Sequence, residues 1–169
     1  MGMVLTKRTF FAGLCASVIA ANILVYIYSF FGAPVDRILP WMVPLVLGLM
    51  VLAIPVMVDS PGFRSWRNFT RPLSSLGAPG WADQLCWILL LFAIGSLVWA
   101  AVQGGWGVPA IIDGQYVSDA RGHILKVLTQ EEYFKLKEAE LRVFTAFMVG
   151  CYFVPMMYWC YRRPTTASA

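Results

Sequence analysis

Charge is scarce in this chain. Only 13% of its 169 residues are Asp, Glu, Lys or Arg, against about 25% in an average soluble domain. Four apolar runs, residues 10–31, 41–58, 85–102 and 143–161, contain no Asp, Glu, Lys, Arg or His at all. Proton-coupled transport normally uses a carboxylate within the membrane, and these runs carry none. Histidine is nearly absent too. His123 stands alone and outside the runs, which excludes a haem held between two histidines. A catalytic zinc wants about three protein ligands. His123 with Asp113 and Asp119 is the one conceivable set, and His123 reads instead as a surface histidine on a strand. The serines in the runs have no histidine beside them, so no nucleophile–base pair is visible. The four cysteines, Cys15, Cys86, Cys151 and Cys160, lie in or at the edges of the runs, with no Cys-x-x-Cys. They read as soft packing residues. A thiol relay or structural disulfide would need cysteines paired at a membrane face. No catalytic residue, metal ligand or cofactor is therefore assigned.

What remains is hydrophobicity, 59% of the chain. A helix crossing the hydrocarbon core needs roughly 20 mostly apolar residues, and each run is about that long. The expected fold is an all-α membrane protein with four transmembrane helices, over about 9–31, 41–58, 84–103 and 143–161. A small outward β-hairpin precedes a long fourth helix, so that hairpin and helix extension fill about 104–142. The spans use nearly the whole chain, 1–169, as a single integral membrane domain. The first run is too long for a cleavable signal sequence, and no small-x-small site follows it. Met1 to Thr6 fits a myristoylation pattern, but an acyl chain adds little to four spans.

The net charge of +4 sits in short segments beside the spans, so it signals orientation and not nucleic acid. Lys7 and Arg8 precede span one. Arg64, Arg67 and Arg71 lie between spans two and three. Arg162 and Arg163 follow span four. The third connection holds Arg121, Lys126, Lys135, Lys137 and Arg142, but more acids than bases. Both termini and the second connection are thus expected in the cytoplasm. The sequon Asn68-Phe69-Thr70 falls on that side, where it is not used. Arg64, Arg67 and Arg71 recur at helical spacing beside Phe63, Trp66 and Phe69. Arg64, Trp66, Arg67 and Arg71 are candidate lipid-headgroup contacts, or simply topology determinants.

Within the spans, Gly13, Ser17 and Ala21 are spaced by four, with Ala12, Ala16 and Ala20 beside them. Such spacing lets helix backbones approach closely in lipid. Asn22 is the candidate polar residue inside the membrane; its amide can bridge helices or touch a substrate. Pro40 and Pro44 suit the start of span two. Pro55 and Pro155 bend helices. Asp59 and Asp83 flank spans two and three and could line a vestibule. In the third connection, residues 104–109 leave the membrane as a loop. Tyr116-Val117 and residues 123–127 flank Asp119-Ala120-Arg121-Gly122, a type I turn pattern, and so form the hairpin. Thr129-Gln130-Glu131-Glu132 is a capping box. Glu131 with Lys135, and Glu138 with Arg142, are helical pairs in the favoured order. One helix is expected from the cap through span four, about 48 Å long.

The segment 116–147 carries Tyr, a Gly-containing turn, Thr-x-x-Glu-Tyr, then Arg142-x-Phe144-Thr145. It resembles the hairpin–helix of small bacterial four-helix inner-membrane proteins with no assigned activity. The resemblance covers about a fifth of the chain. It implies a bacterial cytoplasmic membrane, and brings no catalytic residue and no cofactor.

The leading functional expectation is a non-catalytic, multi-pass membrane protein acting through protein contacts, as an accessory subunit or an immunity-type protein. Its partners are the bilayer and another protein or a second copy, and no nucleic acid. Tyr116, Asp119, Arg121, His123, Lys135 and Glu138 are the candidate contact residues. A small channel or transporter, resting on Asn22, Gln103, Thr145 and the proline kinks, is the alternative. An intramembrane enzyme is the second.

Overall fold

The computed structural model describes residues 2–32, 34–59, 73, 74, 77–104 and 107–161. They fold mostly into helix. Helix α1 (Gly2–Tyr28) runs into a short 3-10 turn (Ser29–Phe31). Helices α2 (Val35–Asp59) and α3 (Gly80–Gly104) follow. Three strands, β1 (Val108–Ile112), β2 (Gln115–Ala120) and β3 (His123–Val127), precede α4 (Gln130–Tyr161). The stretches Lys7–Phe31, Gly80–Val102 and Gln130–Tyr161 are long and apolar enough to cross a membrane. The apolar part of α2 is shorter, Pro40–Val56.

Helix α4 is the hub. Half of its apolar window is buried, against 11% and 6% for the windows of α1 and α3. The other helices pack around it and present their outer faces, rich in Leu, Ile and Trp, to the surroundings. Such faces would be unstable in water and are at home in hydrocarbon. Three apolar clusters follow one another along α4. Leu141 meets Val35 and Met42 of α2. Met148 and Tyr152 then meet Cys15 of α1 and Leu52 of α2. Phe153 and Met157 last meet Leu73, Ala78 and Ala82.

The seam of α1 is not the stripe of small residues. Gly13, Ser17 and Ala21 are exposed, and a Cβ on Gly13 would meet open space. The buried residues are Cys15, Asn22 and Ser29, seven apart, with half-buried Phe11, Val18 and Val25 beside them. That is a heptad seam. The larger side chains offer α4 more packing surface than an alanine face does, and without a hydrophobic force in lipid packing decides.

Helix α2 also starts earlier than expected. Its first turn is closed by the Pro34 carbonyl, which accepts from Arg37 and Ile38 at 3.0 and 3.3 Å. Pro40 and Pro44 therefore lie inside the helix with Pro55, where each removes one ladder bond. Asp83, expected near a vestibule, is buried. Its carboxylate accepts from the amides of Leu73 and Ser74 at 2.8 and 3.3 Å. It ties the segment before α3 to the first turn of that helix, where negative charge suits the dipole. The side chain of Asp59 and the residues Arg64, Trp66, Arg67 and Arg71 lie outside the described residues.

Polar groups inside the bundle mostly turn back on their own helix. Thr145 donates to the Leu141 carbonyl at 2.9 Å, and Ser29 to that of Tyr26 at 2.6 Å. An exception joins two helices: the Tyr152 hydroxyl of α4 donates to the Leu45 carbonyl of α2. Gly48 makes room for it, since a Cβ there would sit 3.3 Å from that hydroxyl. Tyr152→Phe should lower bundle stability by about 0.6–1.7 kcal/mol, the range for hydrogen bonds between membrane helices. The exposed Tyr28→Phe change should not. Unfolding of both variants in mixed micelles checks this, and equal stability of the two would refute the tether.

Candidate functional site

The three strands form one antiparallel sheet in the order β1-β2-β3. The hairpin expected from the sequence is present as β2–β3, but β1 is an addition. Residues 108–112, of which the first two end the expected exit loop, pair with β2 from Val108 opposite Asp119 to Ile112 opposite Gln115. Pro109 is tolerated because β1 is an edge strand. The signal was Asp113-Gly114, a dipeptide that favours two-residue hairpin turns. Both residues take positive φ, 49° and 77°.

The second turn differs from expectation as well. Arg121 and Gly122 both have positive φ, 55° and 83°. They are the central pair of a mirror-image turn, not of the type I turn the pattern suggested. Twisted strands joined by two residues favour the mirror form. Glycine accepts it freely; Arg121 is held there by its neighbours, including the Gly122 amide donating to Asp119 at 3.2 Å. A bulge between Ser118 and Asp119 leaves Leu125 unpaired.

The sheet stands on the first turns of α4. The capping box is complete. The Thr129 hydroxyl accepts from the Glu132 amide at 3.2 Å, and the Glu132 carboxylate accepts from the Thr129 amide at 2.8 Å. The same carboxylate meets Lys126 of β3 at 2.7 Å, so one side chain links strand, cap and helix. The Lys126 ammonium and the Thr129 amide hold the Glu132 carboxyl down at about 2. The Tyr116 and Tyr133 rings meet at a tilt of 43°, with centres 4.9 Å apart. Val117, Leu128 and Tyr133 are buried beneath. Gly107 passes so close to Ser118 that a Cβ would collide with its hydroxyl.

The candidate contact residues fall into three places. Asp119, Arg121 and His123 gather at the β2–β3 turn, with Arg121 and His123 exposed. The Asp119 Oδ1 is buried without a partner among the described residues. Tyr116 is half-buried against the helix. Lys135 is exposed and paired with Glu131 at 2.6 Å. That pairing lowers the Glu131 pKa and raises that of Lys135. Glu138 turns the other way. It meets Arg142 at 3.2 Å, with both side chains largely covered, and the Arg142 guanidinium lies 4.5 Å from the centre of the Phe30 ring. Asn22 is buried far from this module. Its amide donates to Val18 of its own helix at 2.9 Å, and its Oδ1 has no partner among the described residues.

Sequence reasoning missed the apolar surface of the sheet. Val108 and Ile111 of β1, and Ile124, Leu125 and Val127 of β3, are each more than half exposed. Every residue of β3 is exposed. Both outer strands present a free edge among the described residues, a template for strand addition or for contact with another chain. No group of three metal-ligating side chains exists among the described residues. Comparison with known proteins finds no matching family model, curated relative or solved structure.

Two outcomes test the mounting of the sheet. Thr129→Ala should cost about 1 kcal/mol of local stability at the start of α4, read as lost amide protection in the first turn and in β3. The Glu132 contribution has the sign of a depressed carboxylate. It is present above the ordinary pKa of 4.5 and is lost as pH falls towards about 2. The Thr129 amide resonance should therefore titrate with a midpoint near 2; a midpoint near the ordinary value would remove Glu132 from the cap.

Proposed function

We propose that this chain is a non-catalytic, multi-pass protein of a bacterial inner membrane that works through protein contacts made by its outward module. On this reading α2 is the fourth crossing. A 25-residue helix, Val35–Asp59, is about 37 Å long at 1.5 Å per residue, enough for a core of about 30 Å. Both termini and the 60–72 connection face the cytoplasm, with Arg64, Trp66, Arg67 and Arg71 at the lipid headgroups. The sheet and the first turns of α4 then stand on the opposite side. The accessory-subunit and immunity-type roles are the two biological forms of this reading.

The observation that carries it is the sheet itself. It exposes six large apolar side chains and two free edges, and it is fixed to α4 by a cap, an ion pair and a tilted aromatic contact. A surface of that kind, held rigid, binds with little ordering cost. Arg121, His123 and Lys135 are exposed polar groups beside these apolar side chains, the mixture that protein interfaces use.

Two measurements address orientation and contact separately. In a cysteine-free background, Gln115→Cys should react with an impermeant maleimide added to whole cells, and Lys7→Cys should react only after lysis. The reverse pattern would invert the topology. For contact, Leu125→Asp and Lys135→Glu should each remove a stoichiometric partner retained in mild detergent, at unchanged protein level. A single interface hot spot costs about 2 kcal/mol or more, a loss of roughly thirtyfold in affinity. If both variants keep the partner while Asn22→Ser loses it, the working site lies in the membrane core and the contact reading fails.

A further inference from the structure

Between α1, α3 and α4, at the end of the bundle nearest the sheet, lies a cavity of about 400 Å³. Its walls are aromatic. Tyr26 and Phe30 of the α1 end face Phe92 and Trp99 of α3, with Tyr26 and Phe92 ring centres 5.3 Å apart. Gly95 forms part of the α3 wall, and Arg142 of α4 closes the site. Phe30 and Trp99 are both more than half exposed, so the mouth opens sideways to the surface of the bundle and not through its axis.

The arginine is not fully engaged. One terminal nitrogen meets Glu138 at 3.2 Å, and the guanidinium face covers the Phe30 ring. Its Nε–H is buried and has no acceptor among the described residues. A buried charged donor without an acceptor is costly. The guanidinium lines the cavity and gives one of its five N–H donors to Glu138, and an anionic oxygen is the ligand group its fork is shaped for.

Depth selects the ligand. Phe30 and Trp99 lie at the ends of their apolar runs, 10–31 and 85–102, and Arg142 immediately precedes the run 143–161, at the level where hydrocarbon gives way to headgroups. A molecule filling this site must offer an oxyanion at that level and an apolar tail below it. We propose that the cavity binds a phospholipid of the outer leaflet, with its phosphodiester on Arg142 and part of an acyl chain between the aromatic walls. A free phosphate would gain the arginine but leave the aromatic walls empty. The proposal rests on the membrane placement above and is independent of the contact role of the sheet.

The test uses the full chain in mild detergent with three probes. These are dioleoyl phosphatidylglycerol, dioleoylglycerol with the same chains and no phosphate, and inorganic phosphate. Lipid retained per protein is read by native mass spectrometry, and stabilisation by thermal unfolding. Gly95→Leu fills the cavity from a position where a Cβ meets open space, and leaves the Arg142–Glu138 pair intact. Arg142→Gln removes the cation. Gly13→Leu, on an exposed and equally open position of α1, is the control. The wild type and the control should hold the phospholipid and gain stability from it, with dioleoylglycerol at least about tenfold weaker. Gly95→Leu should lose both effects, and Arg142→Gln should lose the preference for phosphate over dioleoylglycerol. Should Arg142→Gln fail to fold, Gly95→Leu alone decides. Equal retention by Gly95→Leu and the control would overturn the site, and so would stabilisation by inorganic phosphate equal to that by the lipid. Release of the chain from membranes by alkaline carbonate would instead remove the membrane placement itself, which separates the two failures.

Discussion

Helix α4 must serve two solvents with one backbone. Its ladder of hydrogen bonds has to be complete in hydrocarbon, where no water can replace a missing partner, and stable at its free end, where water competes for every group. The sequence meets the two demands in different ways. Below Arg142 the side chains are mostly apolar, with the hydroxyls of Thr145 and Tyr152 bonded to backbone carbonyls, and the helix is packed on by α1, α2 and α3. Pro155 is the one residue in that part that cannot donate to the ladder. Above Arg142 the helix is polar, and it is held by a complete capping box and by i,i+4 pairs. Each of those pairs alone is worth only a few tenths of a kcal/mol. Their combined effect is to begin the helix at Gln130, so that the sheet rests on a stalk continuous with the bundle.

The sheet depends on that stalk in turn. A small sheet needs a covered face or a helix beneath it to be stable in water, and here β2 packs on Tyr133. Glu132 serves both parts at once, since the same carboxylate caps the helix and pairs with β3. The consequence is a module tied to the helix through β3 as well as β2, while the outer edges of β1 and β3 have no strand beside them among the described residues. On the proposed reading, the exposed apolar side chains and strand edges are what a partner would cover.

Much of this is legible in the residues. Runs without a single ionisable side chain mark the helices that could cross a membrane, and the Thr129–Glu132 box and the Glu131–Lys135 and Glu138–Arg142 spacings mark the stalk. These signals are local, and local physics decides them. What is less legible is tertiary. Gly13, Ser17 and Ala21 look like a seam by spacing, yet the seam is Cys15, Asn22 and Ser29, because the hub helix offers larger partners. Pro40 and Pro44 look like a helix start, yet Pro34 closes the first turn ahead of them. Val108 and Pro109 look like the end of a Gly-rich exit loop, yet they open β1, an edge strand on which a proline costs little. Glu138 and Lys135 are three apart on one helix, yet one faces the bundle and the other water. The Arg142 cavity has no sequence signature at all, since its walls come from three helices.

The central claim is that stalk and span are one rigid helix. Nitroxides at the exposed positions Gln130 and Phe147, seventeen residues apart on α4, measure it directly by pulsed dipolar spectroscopy in bilayer discs. A continuous helix gives one narrow distance distribution centred near about 25 Å. A broad or two-peaked distribution, or one centred well below that value, would show a hinge between sheet and bundle and contradict the account.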